Sequence, residues 1–134
     1  MRIVLDTNVL VCALTTRGLC TELFEQIVQM RFLETSEPIL TELDRILSDK
    51  FGLPSTIVRG FLNLIREEAD LLVVANESLP KIPDPDDIKI LAYASGGQSN
   101  IFVTGDKALL DLKAIGGMII ISPRECWVKL KTPQ

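Results

Sequence analysis

The chain contains four short runs of apolar residues. In the stretches between these runs, the apolar residues recur at the spacing of a helix. The predicted strands are 3–5, 71–75, 101–104 and 118–121, and the only polar residue among them is Thr104 at the end of the third. Continuous apolar runs of this length are typical of buried parallel strands. Helical spacing predicts helices over 9–14, 21–30, 39–47, 54–68, 86–95, 107–112 and 124–131. Strands that alternate with helices predict an α/β fold of three layers, in which helices cover both faces of a central parallel sheet of four to five strands.

Local signals place several ends of these elements. Arg17 and Gly18 predict a break between the first two helices. Ser36 followed by Pro38 is a helix-start signal, because serine caps helices and proline is tolerated in a first turn. Three prolines within 80–85 predict a rigid loop. No repeat or long linker divides the chain, so we expect a single domain over residues 1–134.

The composition is that of a globular protein. The chain has 134 residues, of which 47% are hydrophobic and 24% charged. No apolar run approaches the roughly 20 residues of a membrane-spanning helix. The first residues run directly into a strand pattern without features of a signal peptide, so we expect a cytoplasmic protein.

The reactive side chains present in the sequence limit the catalytic mechanisms that are possible. The chain has no histidine and only three, widely spaced cysteines, Cys12, Cys20 and Cys126. This argues against a zinc site and excludes catalysis that depends on histidine. A general base must therefore be a carboxylate, a lysine or a metal-bound water. The net charge of −4 argues against nucleic acid as a partner, unless the acids gather around bound cations.

Two acids follow predicted strands directly. Asp6 follows the first strand, and Asp106 follows the strand that ends near Thr104. Ligands of open α/β sheets bind outside the carboxyl ends of the strands, where both acids are expected to lie. The alternative interpretation is that each aspartate only caps the next helix.

Two further acids lie within predicted helices. Asp87 is at the centre of an apolar face that contains Ile90, Leu91 and Ala94, where an unpaired charge is costly. Stabilisation of the positive end of the helix would explain an acid in its first turn, but it does not explain why Asp87 is on the apolar face. Glu42 lies at the border of an apolar face, where a solvated charge is the simpler interpretation.

The carboxylates of these acids are hard oxygen ligands, and no imidazole or thiolate is expected beside them. Such a set of donors suits Mg²⁺ or Mn²⁺. Thr7, Asn8 and Thr104 add neutral polar groups at the same edge of the sheet. Clustered magnesium acids most commonly serve phosphoryl chemistry, in which the metal activates a water and stabilises the leaving oxygen.

Four segments resemble successive motifs of the PIN-domain family. They are VLDTNVLV at 4–11, TSEPILTELDRIL at 35–47, DPDDIKILAYA at 84–94 and VTGDKALL at 103–110. The resemblance spans nearly the whole chain and is greatest to bacterial and archaeal toxin components of VapBC-type toxin–antitoxin systems. It implies a PIN-like fold and a metal-dependent ribonuclease that leaves a 5′-phosphate and a 3′-hydroxyl.

The resemblance also assigns roles by position. It implies that four acids bind the metal and carry catalysis: Asp6, Glu42, Asp87 and Asp106. It implies that three neighbours orient those acids: Thr7, Asn8 and Thr104. Relatives often have another acid two residues after the TGD aspartate, where this chain has Ala108, so a second metal is expected to bind weakly or only with substrate.

The implied partners are an RNA substrate, a cognate antitoxin and a second copy of the chain. Three apolar residues of an early helix, Leu19, Leu23 and Ile27, are candidates for a homodimer interface, with the core as the alternative.

Two other functions compete with the ribonuclease. One is a non-catalytic PIN-like module that binds metal or RNA. The other is a phospho-acceptor receiver or an aspartyl phosphatase, and the latter needs a second aspartate where this chain has Asn8.

Overall fold

The computed structural model describes residues 1–72 and 99–132. Its elements are β1 (Ile3–Leu5), α1 (Thr7–Thr15), α2 (Leu19–Gln29), β2 (Leu33–Ser36), α3 (Glu37–Arg45), a π-helical turn (Ile46–Lys50), α4 (Ser55–Glu68), β3 (Asp70–Leu72), β4 (Ile101–Val103), α5 (Lys107–Leu110), β5 (Ala114–Ile115), β6 (Met118–Ile121) and α6 (Pro123–Lys131). The predicted loop at 80–85, the predicted helix at 86–95 and the end of the predicted strand at 71–75 lie outside the described residues.

A mostly parallel sheet organises the described part of the chain and is flanked by helices, which confirms the predicted α/β fold. Its strand order is β3-β2-β1-β4-β6-β5. The first five strands in this order are parallel. The two-residue β5 was not predicted and pairs antiparallel with β6. Neighbouring β1 and β4 place Leu5 opposite Val103, so the residues that follow these strands meet at one edge.

The strand β2 is the main element that the apolar pattern failed to predict. Its residues are Leu33, Glu34, Thr35 and Ser36, and all four are buried. Only Leu33 is apolar, so hydrophobicity alone gives no strand signal here. Parallel pairing with β1 on one side and β3 on the other holds the strand inside the sheet.

Helix boundaries otherwise follow the predicted signals. The break between α1 and α2 contains Arg17 and Gly18, as predicted. The helix predicted over 39–47 ends earlier as an α-helix, at Arg45, and continues as the π-helical turn. A capping box between Ser122 and Glu125 starts α6 one residue before the predicted position.

The core consists mainly of buried aliphatic side chains of β1, β4 and the flanking helices. Leu23 and Ile27 have no exposed surface and belong to this core, so the interpretation of these two as interface residues is wrong. The reason is that α2 packs between α1 and α6. Leu19 is only partly buried. None of the helices in the described ranges is long and apolar enough to cross a bilayer.

Candidate active site

Asp6 and Asp106 each begin a helix at the carboxyl edge of the sheet. The Oδ1 atom of Asp6 accepts the N–H of Thr7 at 2.8 Å, and Oδ1 of Asp106 accepts the N–H of Ala108 at 2.8 Å. The capping interpretation is therefore correct for both aspartates. Capping engages only the Oδ1 atom of each carboxylate.

The hydroxyl of Thr104 links the two aspartates. It donates to Oδ2 of Asp6 at 2.7 Å and accepts the backbone N–H of Asp106 at 3.0 Å. Thr104 has no exposed surface, so these bonds do not compete with water. The hydroxyl therefore fixes the position of one carboxylate relative to the backbone of the other.

The amide of Asn8 makes a second link across the same edge. Its Nδ2 atom donates to Oδ2 of Asp6 at 3.0 Å, and its Oδ1 atom accepts the N–H of Gly105 at 3.0 Å. Each end of the amide is thus bonded to a different strand end. Asn8 and Thr104 contact Asp6 in the way that residues orienting a ligating carboxylate do.

The electrostatic environment of Asp6 disfavours its charge. The residue is 2% exposed, and burial raises the pKa of its carboxyl group, with a further increase from the negative charge of Asp106. Hydrogen bonds from Thr104, Thr7 and Asn8 oppose this rise in pKa only in part. The ion pairs found within residues 1–72 and 99–132 do not include either aspartate. A cation bound between these acids would reverse this cost.

Three buried hydroxyls at the same edge lack a hydrogen-bond partner within the described part of the chain. They belong to Thr7, Thr35 and Ser36. Ser36 is at the N-cap position of α3, as predicted, but its side chain does not cap the helix. Thr35 and Ser36 were missed as candidate site residues, although Leu33 followed by polar residues repeats the pattern of Leu5 and Asp6.

The inclusion of the other two predicted acids, Glu42 and Asp87, in this site stays a prediction. Glu42 is half-buried on α3, which contacts α1. Asp87 lies outside the described residues. Among residues 1–72 and 99–132, no group of three or more His, Cys, Asp or Glu side chains could hold a metal ion. The described part therefore brings together two of the four predicted acids.

The donor set of the edge nevertheless fits a hard divalent cation. Asp6 and Asp106 offer carboxylate oxygens, and the neighbouring residue Thr7 has a hydroxyl without a hydrogen-bond partner among residues 1–72 and 99–132. Mg²⁺ is commonly bound through one or two carboxylates while it keeps several waters. Two aspartates held at fixed strand ends meet this requirement.

A second carboxylate, that of Glu34, is buried in the sheet and was also missed. It is 2% exposed, and its Oε1 atom accepts the hydroxyl of Ser99 at 2.7 Å. Its Oε2 atom lies 3.7 Å from Nη1 of Arg2. Burial raises the pKa of Glu34, the contacts with Ser99 and Arg2 lower it in part, and the negative charge of Asp70 on the neighbouring strand adds to the increase. Glu34 and Ser99 are 65 positions apart in the sequence, so no local signal predicts this contact.

A pocket of about 450 Å³ opens beside the aspartate pair. Asn8 and Asp106 line its polar side. Val9, Cys12 and Cys20 line it from α1 and α2. Burial and the neighbouring thiol of Cys12 raise the pKa of Cys20 to about 12, so this thiol is neutral at physiological pH.

Comparison with known families identifies the chain. The family model described as PIN domain matches residues 2–108. The chain belongs to the PIN-domain family. PIN domains are generally nucleases and generally use divalent metals, so membership supports a nuclease-type hydrolase.

A solved structure supports the PIN fold independently. The chain is similar to a chain of VapBC2 from Rickettsia felis, crystallised bound to a DNA fragment from their promoter. The two chains are 16% identical, with a TM-score of 0.65, and the similarity covers 91% of this chain and 98% of that one. At this identity the likeness concerns the fold alone. No curated protein matches the chain.

Proposed function

We propose that this PIN domain is a Mg²⁺- or Mn²⁺-dependent endoribonuclease. The observation that carries the proposal is the joining of Asp6 and Asp106 through the Thr104 hydroxyl at the carboxyl edge of the sheet. The pair is buried on one side, negatively charged and without a cation from the described chain, which is the environment a divalent ion stabilises.

Glu42 and Asp87 complete the proposed metal-binding and catalytic set with Asp6 and Asp106. Their inclusion rests on the resemblance of the TEL and DPDD segments to PIN motifs. Bound Mg²⁺ or Mn²⁺ would supply activation of water and stabilisation of the leaving oxygen.

The chain's own residues have positioning roles in this proposal. Thr104 and Asn8 hold the Asp6 carboxylate in one orientation, and the N–H of Thr7 holds its other oxygen. Preorganised ligands of this kind avoid the free-energy cost of reorganisation during the reaction.

The proposed partners are an antitoxin and a second copy of the chain. The VapBC2 likeness supports the antitoxin, because that structure contains a VapBC assembly. The proposed biological role is therefore that of a toxin in a toxin–antitoxin pair.

The decisive experiment incubates the purified chain with single-stranded RNA in EDTA, Mg²⁺ or Mn²⁺. We expect cleavage only with metal, and products with 5′-phosphate and 3′-hydroxyl ends. The Asp6→Asn and Asp87→Asn variants should lose cleavage while remaining folded. RNA binding without metal-dependent cleavage would instead identify a non-catalytic module, and cleavage by Asp6→Asn equal to that of the parent would exclude the proposed site.

A further inference from the structure

The pocket beside Asp106 has a mostly apolar lining, which distinguishes it from the neighbouring pair of acids. Its polar side is formed by Asn8 and Asp106, and its remaining lining includes Val9, two thiols and Pro123. The resemblance to PIN motifs assigns no role to Cys12, Cys20 or Pro123, so the pocket needs its own explanation.

The volume and lining of the pocket suit an aromatic group. A volume of about 450 Å³ is in the range of small-molecule sites, which combine an apolar lining with a few polar groups. Cysteine behaves as a small hydrophobic residue, and sulfur makes favourable contacts with aromatic rings. The neutral thiol of Cys20 therefore presents an uncharged surface to a ring.

Two exposed cations next in sequence to lining residues favour a ligand that carries phosphate. Lys107 directly follows Asp106, Arg124 directly follows Pro123, and both cations are exposed. Exposed cations attract the RNA backbone. Proteins that recognise single-stranded RNA commonly splay out one base and bury it against side chains.

We infer that this pocket binds one unpaired nucleobase of the RNA next to the cleaved phosphate, and that Cys12, Cys20 and Pro123 select that base. The inference rests on the proposed ribonuclease function. It makes these three residues determinants of sequence preference, while the aspartates determine the chemistry.

The first test measures thiol protection in the parent protein, in EDTA so that nothing is cut. The alkylation rate of Cys12 is followed by peptide mass spectrometry in the presence of hexamers of A, C, G or U, with inorganic polyphosphate as the control. We expect at least one hexamer to slow alkylation roughly tenfold more than polyphosphate. Cys126, which is buried, is the internal reference. Equal protection by polyphosphate and every hexamer would overturn the inference.

The second test fills the pocket with a larger side chain. The Cys20→Trp variant should reduce cleavage in Mn²⁺ roughly tenfold and change the base found next to the cut. The matched control is Val128→Trp, which places the same ring on an α6 residue that is 56% exposed and is not part of the pocket lining. We expect the control to keep the parent's rate within about twofold. An unchanged rate and cutting pattern in folded Cys20→Trp would contradict the inference.

The two tests separate failure of the pocket from failure of the nuclease. Metal-dependent cleavage without base-selective protection or a changed cutting pattern leaves the nuclease intact and excludes the base pocket. Base-selective protection without cleavage by the parent excludes the nuclease and supports a base-binding site in a non-catalytic RNA-binding module. If Cys20→Trp does not fold by circular dichroism, the protection experiment decides alone.

Discussion

Asp6 and Glu34 are equally buried in the same sheet, at 2% exposure each, but their neighbours differ in charge. Glu34 meets Ser99 and Arg2, which precede β4 and β1, so its contacts lie toward the amino edge. Asp6 lies at the carboxyl edge, bonded to neutral groups and close to the negative charge of Asp106. Burial of a carboxylate is therefore not by itself a sign of function. Each carboxylate has a negative charge nearby, Asp70 for Glu34 and Asp106 for Asp6, but only Glu34 also contacts a cation, Arg2, within the described residues. The contact with a cation distinguishes the structural acid from the candidate metal ligand.

The largest expected difference between the two carboxylates is in catalysis. We expect Asp6→Asn to reduce metal-dependent RNA cleavage at least about a hundredfold, because removal of one electrostatic group from an active site commonly costs this much. Glu34→Gln is the matched control, since it neutralises an equally buried acid. It should keep the parent's rate within about threefold. Similar losses in the two variants would show that the assay responds to damage of the sheet and not to the site.

A second difference concerns stabilisation by metal. Mn²⁺ at a hundred times its dissociation constant should increase the free energy of unfolding by about 2.7 kcal/mol in the parent and in Glu34→Gln. Asp6→Asn should gain much less, because it has lost a proposed ligand. Thermal unfolding with and without Mn²⁺ measures this. An equal Mn²⁺-dependent shift in Asp6→Asn would place the ion elsewhere.

A substitution at Ser99 tests the structural role of the Glu34 carboxylate. Ser99→Ala removes the 2.7 Å hydrogen bond to Glu34, and we expect a loss of about 2 kcal/mol in the free energy of unfolding, typical of a bond to a charged group. Urea unfolding of Ser99→Ala, Glu34→Gln and the double variant gives the coupling between the two residues. If the losses in the free energy of unfolding of the two single variants add up to that of the double variant, the hydrogen bond makes no specific contribution to stability.

The smallest expected effect is on pH dependence. Because burial raises the pKa of Glu34 in the folded state, its stabilising contribution is present below its unfolded pKa, near 4.5, and is lost as pH rises through the folded pKa. Glu34→Gln should therefore gain stability relative to the parent as pH rises above 4.5. Unfolding free energies of the two proteins between pH 4 and about 7 measure this. A constant difference across that range would contradict the raised pKa.

Much of the fold was predictable because most strands are apolar and most helices carry recognisable ends. Met118–Ile121 was predicted at both boundaries. The strand β2 was not predictable in this way, because Glu34, Thr35 and Ser36 are buried without being apolar. Their placement depends on pairing with β1 and on contacts with residues such as Ser99, which are distant in sequence.

The candidate site was predictable to the extent that strand ends define it. Asp6 and Asp106 meet because β1 and β4 are adjacent and parallel, which the alternation of strands and helices suggests. Glu42 lies on α3, and Asp87 belongs to a helix that only the sequence predicts; a helical pattern fixes a face but not the distance to the strand ends. For these two acids the assignment still depends on the family motifs.

The Thr104 hydroxyl has a geometric consequence for ion selectivity. It ties a side-chain oxygen of Asp6 to the main chain of Asp106, and both belong to segments anchored by hydrogen-bonded strands. Hydrogen bonds therefore hold both aspartates in position, Asp106 also through the N–H of Ala108. An ion bound between two carboxylates held in this way would be selected by its radius, so we expect the proposed site to bind Mg²⁺ better than a larger cation such as Ca²⁺.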